Sequence, residues 1–213
     1  MSVGTLGFAH PTKAVICFKA VSKVVFPWPQ PHLEQCFLVP PQKEHHMSFY
    51  DAVVPAYLQM LNSLSGLLTK AEAHCEARKI QPEVLLGARL YPDMLPLAKQ
   101  IQLVCDHASR GCARLTHSEV PSTPDTEKTF GELKQRLAKT IDYVKSFKPA
   151  QFEGADTKDV TFPTGPNSSM TLKGQQFLSA FSFPNFYFHA VTAHGILRHS
   201  GVEIGKRDFL GVS

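Results

Sequence analysis

The sequence predicts an all-α fold, a bundle of four helices. Three stretches carry apolar residues spaced three and four apart, an aromatic-rich stretch near the C-terminus is long enough for a fourth helix, and 213 residues suffice for one sizeable core plus an appendage. The first helix opens at Met47-Ser48-Phe49-Tyr50-Asp51, where Ser48 can cap and Asp51 holds the capping-box position. Tyr50, Val54, Tyr57, Leu61, Leu64 and Leu68 form its apolar stripe, and it should end near Arg78.

A linker with Pro82 and Pro92 follows, and Asp93-Met94-Leu95-Pro96 is expected to open the second helix, with Pro96 tolerable only in its first turn. Its stripe is Leu97, Ile101, Val104, Ala108 and Cys112. After a turn-like stretch over 118–125, Phe130, Leu133, Leu137, Ile141 and Val144 give a third helix. Three such seams need a fourth helix to close the core. Before it, Val160 and Phe162 and then Met170 and Leu172 flank Pro163-Thr164-Gly165-Pro166-Asn167, the pattern of a small hairpin. The last helix is expected from about Gly174 to His199, with Phe177, Phe181, Phe188 and Ile196 inward, Gly201 as its cap, and a kink or late start at Pro184.

Residues 1–46 hold a proline cluster (Pro27, Pro29, Pro31, Pro40, Pro41) and no sustained helical period. They are read as an N-terminal extension, disordered or the product of a mis-assigned start, with the folded domain spanning 47–213. The formal charge of +4 divides evenly between extension and domain, so neither is a basic nucleic-acid surface. No stretch reaches the roughly 20 apolar residues of a membrane span. Five scattered cysteines without a C-x-x-C pair suggest reduced thiols and a cytoplasmic setting, with Cys105 and Cys112 as core residues. There is no Gly-rich phosphate loop, no G-x-S-x-G elbow and no H-E-x-x-H.

Several segments resemble, in order, an uncharacterised branch of the DinB/YfiT-like superfamily: Met47-Ser48-Phe49-Tyr50-Asp51, Ala71-Glu72-Ala73-His74, Arg78-Lys79-Ile80, Pro92-Asp93-Met94, Pro184-Asn185-Phe186-Tyr187-Phe188-His189 and Gly205-Lys206-Arg207-Asp208-Phe209-Leu210-Gly211. The resemblance covers 47–213. It implies a four-helix bundle with a long crossover, and a metal held by three histidines, one on the second helix and an H-x3-H pair on the last. Aligned on the Leu197–Val202 ending, the pair here becomes Asn185 and His189, and the second helix offers Gln100, Gln102 or His107. Residues four apart share a helix face about 6 Å along the axis, which lets two ligands converge on one ion. Asn185 suits zinc or nickel poorly, because such ions prefer imidazole nitrogen.

The candidate site follows from this. His189 and Asp93 are the catalytic candidates, Gln100, Asn185 and Tyr187 the ligand-binding ones, and His107 with His189 would hold a divalent ion such as zinc, nickel or manganese if one binds. Asp93, Gln100 and His107 repeat every seven residues and should share one flank of the second helix, whereas His194, about 140° around the axis from His189, cannot join them. The expected activity is binding of a small molecule, with transfer or isomerisation chemistry by analogy with the superfamily. The alternative is a non-catalytic helical protein that self-associates as a homodimer.

Overall fold

The computed structural model describes residues 47–212, so the proline cluster, Cys17, Cys36 and the expected extension lie outside the described residues. The first helix, α1 (Phe49–Arg78), begins as its sequence requires: the Asp51 N–H donates to the Ser48 hydroxyl at 3.2 Å, and Lys79 closes the helix in the left-handed region at φ 52°. A short helix not foreseen in the linker, α2 (Pro82–Leu86), precedes α3 (Leu97–Leu115), and then comes α4 (Phe130–Ser146), whose Thr129 and Glu132 form a reciprocal capping box. A 3-10 turn at Pro149–Phe152 leads to β1 (Asp159–Gly165) and β2 (Ser168–Lys173).

The last long helix runs in three pieces. A turn of α5 (Gly174–Gln176) passes into a π-helical stretch, Phe177–Ser182, and then into α6 (Phe183–His199), followed by α7 (Lys206–Leu210). The break has a cause in Pro184, which lacks an N–H and whose ring would collide with the carbonyl four residues earlier. Beside it, the Asn185 side-chain amide donates to the Phe181 carbonyl at 2.7 Å.

α3 packs against both α6 and α4, and α1 against α4, while α4 and α6 occupy opposite corners; residues 147–173 are therefore the crossover, and the hairpin rides on it. The hairpin is antiparallel, with Val160 opposite Leu172 and Phe162 opposite Met170, and its two buried residues, Val160 and Phe162, face the bundle. The expected stripes form the core: Val54, Tyr57, Leu61, Leu64 and Leu68 of α1, Leu97 to Cys112 of α3, and Phe130 to Val144 of α4 are all buried. Cys75, Cys105 and Cys112 are buried free thiols, and burial pushes Cys105 and Cys112 up to about 12.

Two expectations are corrected. Phe188 is not inward but 58% exposed, and Phe186 takes the core position instead, because a π turn adds a residue and shifts the phase of everything after it. The second long helix starts at Leu97, not Asp93: the ring of Pro96 disfavours helical geometry at Leu95, and Arg89 holds the preceding turn by donating to the carbonyls of Pro92 and Met94. Gly201, with φ of 87°, stands one residue beyond the cap, which is Ser200. No described helix is long and apolar enough to cross a membrane.

Candidate functional site

The face between α3 and α6 brings together three of the expected residues: Gln100, His107 and His189. Gln100 is 1% exposed, and its amide orientation is fixed by chemistry, because its Nε2 donates to the Leu95 carbonyl at 3.0 Å. Its Oε1 is thereby the atom 2.8 Å from His189 Nδ1, and an amide oxygen only accepts. His189 Nδ1 therefore carries the proton, and in the neutral ring Nε2 keeps its lone pair. Leu95 owes its place to the same Pro96 turn that delays α3, so the helix start and the tautomer of His189 are linked.

His107 lies about two turns further along α3, with its ring 5.5 Å from that of His189 and inclined by only 16°. Phe181 and Phe188 add edge contacts at the two ends of the row, on His107 and His189 respectively. Burial drives His107 down to about 4, helped by the neighbouring His189, Arg110 and Arg114, and burial also lowers His189. Both rings are neutral at neutral pH. The consequence is an acceptor pair in a half-buried, aromatic setting.

This sets a pH prediction. A histidine whose folded value is depressed binds its proton later than the unfolded chain does, so stability is full above about pH 6.5 and falls as pH drops towards about 4. With allowance for the part of His107 that water reaches, about 2 kcal/mol should be lost across that window. Urea midpoints of the native chain and of His107→Gln, measured through the window, check this: the native curve should fall more steeply, and parallel curves would remove His107 as the cause.

The other expected residues stand apart. Asp93 is exposed in the turn before α3, off the flank shared by Gln100 and His107, so its catalytic assignment loses its geometric basis. Asn185 is half-buried and spends its amide on Phe181, one turn before His189. Tyr187 is half-buried between the rings of Phe183 and Phe186, and burial raises its phenol. His194 faces elsewhere, against Phe209 of α7.

A three-ligand metal site does not fit this arrangement. Among the described residues no three His, Cys, Asp or Glu side chains group to hold an ion. Imidazole lone pairs lie in the ring plane, so two rings stacked nearly parallel, as His107 and His189 are, do not aim at a common point.

Sequence reasoning missed two further structures. One is a buried hydrogen bond of 2.7 Å between Tyr57 of α1 and Ser182, the last residue of the π stretch, which ties α1 to the segment that aims α6. The other is Arg136 of α4, 4% exposed, which binds Asp106, Asp125 and Glu127. A visible signal for Arg136 was its place between Leu133, Leu137 and Thr140 on the inward flank of an apolar stripe.

A family model described as a domain of unknown function, DUF1993, matches residues 49–210. The chain belongs to that family. It is also similar, at 41% identity and a TM-score of 0.72, to the crystal structure of a DinB family member protein from Shewanella denitrificans, over 77% of this chain and 92% of that one. The DinB-like bundle expected from the motifs is thus its fold. No curated protein matches it.

Proposed function

We propose that this DUF1993 protein binds a small organic molecule against the α3–α6 face and that His189 exchanges a proton with it, in a transfer or isomerisation reaction. The single supporting observation is the lock on His189: Leu95 carbonyl, Gln100 amide and His189 Nδ1 form a chain that leaves one unprotonated nitrogen, Nε2, as the working atom. A ligand X–H would give its proton to Nε2. The Nδ1–H, held by Gln100, would stabilise the imidazolium until the proton returns. The lowered affinity of His189 for protons keeps Nε2 free at neutral pH, as a general base or acceptor requires. Phe188, exposed and in edge contact with the His189 ring, reads more simply as the apolar rim of this site than as a dimer face.

Imidazole nitrogen NMR of the labelled chain tests the reading. His189 should appear at neutral pH as the Nδ1–H tautomer, and Gln100→Leu should release it to a mixture while helical content stays unchanged. A native His189 protonated on Nε2 would remove the acceptor and with it the proposal. Incubation with zinc, nickel and manganese, followed by removal of unbound ion, should leave less than one equivalent bound. One full equivalent, lost in His189→Ala, would instead favour a metalloenzyme.

A further inference from the structure

Away from the histidine face, a cleft of about 340 Å³ opens between α3, α4 and the irregular strap of residues 116–129 that joins them. That volume is within the range of small-ligand pockets, roughly 300 to 1,000 Å³. Its walls carry three carboxylates, and each is already engaged. Asp106 holds Arg136 and Arg110, Glu127 accepts from Arg136 and Gln102, and Glu132 accepts from the backbone N–H groups of Lys128 and Thr129. The Ser109 and Thr140 hydroxyls donate to carbonyls of their own helices.

One donor is left over. Arg136 spends both terminal nitrogens on Asp106, Asp125, Glu127 and the Pro124 carbonyl, yet its Nε–H is buried and has no partner among the described residues. Buried donors are almost always paired, so an unpaired one in the wall of a cleft asks for an acceptor from outside. The charges around it select the kind. Asp106, Glu127 and Glu132 outnumber Arg136 and Lys139 along the lining, so an added anion meets a negative wall, while a cation finds every carboxylate engaged.

We propose that this cleft is a second ligand site, which takes a small neutral molecule by its carbonyl oxygen, amide or ketone, at Arg136 Nε–H. The strap supplies the outer wall through Pro121, Thr123 and Thr126, and Tyr143 closes one side.

The Nε–Hε signal of Arg136 reports directly on the donor. Full-length labelled protein is titrated with N-methylacetamide and, separately, with acetate at matched ionic strength. The expected result is a saturable shift of that signal with the amide, weaker or absent with acetate, and cross-relaxation from the probe methyls to the Thr126 and Thr140 methyls. Ser109→Leu, which fills the cleft, should abolish the response; if that variant loses its fold, the cross-relaxation decides alone. No saturable response to either probe means that water alone satisfies the donor, and a stronger response to acetate means an anion site; either overturns the proposal. Both readouts are independent of His189.

Discussion

Arg136→Ala should destabilise the protein by about 3–5 kcal/mol, seen as a large drop in the urea midpoint. The expectation rests on what is left behind. Arg136 is 4% exposed, and the carboxylates it binds, Asp106 and Glu127, are themselves nearly inaccessible, at 11% and 12% side-chain exposure. Burial opposes the guanidinium charge, but the hydrogen bonds it donates to Glu127 and the charges of Asp106 and Glu127 outweigh it and raise the group above its ordinary value. Removing the cation strands two low-exposure anions whose remaining partners, Arg110 and Gln102, neutralise only one of them. It also frees the strap, since Arg136 holds the Pro124 carbonyl. Adding Glu127→Gln to the variant should recover about 1–2 kcal/mol, because it deletes one of the stranded charges. A drop below about 1 kcal/mol for Arg136→Ala would mean that the network is solvated and structurally idle.

The bundle was legible because periodicity is a local property with a global consequence. Each stripe, such as Leu133, Leu137, Ile141 and Val144, can be satisfied in only one way, by a facing stripe, and the Ser48 and Thr129 caps mark where two helices begin. The errors lie where a single proline changes the rules over a few residues. Pro96 moved the start of α3 past Asp93, and Pro184 displaced the phase that had put Phe188 inside. Both were recognised as helix breakers. What the sequence does not carry is how the backbone adapts, by a delayed start in one case and a π stretch in the other.

The site was half legible for the same reason. Gln100, His107 and His189 meet because heptad spacing on α3 and helix–helix packing bring one face to another. Asp93 does not join them because it is not on the helix. The Gln100–Leu95 bond, which decides the tautomer of His189, depends on a carbonyl freed by the delayed start and was invisible to spacing. The family match carries the bundle and leaves the chemistry to these side chains; the Asn185 amide is committed to Phe181, and the proton exchange proposed for His189 does not call on it.

Gly111→Ala should cost about 2–4 kcal/mol, although alanine is the better helix former by about 1 kcal/mol. Gly111 lies in α3 one turn beyond His107, and a Cβ there would fall 2.4 Å from the Tyr57 hydroxyl oxygen and 2.8 Å from Ser182 Oγ. Those two atoms are hydrogen-bonded to each other and buried, at 0% and 1% exposure. The methyl must push them apart, and two buried hydroxyls without partners are costly at about 1–3 kcal/mol each. Tyr57→Phe on the Gly111→Ala background should therefore recover about 1–2 kcal/mol, whereas Tyr57→Phe alone should be destabilising, a coupling that a double-mutant cycle reads directly. The same pair anchors the π stretch that sets the direction of α6. The His189 imidazole signals should accordingly move in Gly111→Ala and return in the double variant. Additive stabilities with an undisturbed His189 would separate the Tyr57–Ser182 contact from the site and leave it as packing alone.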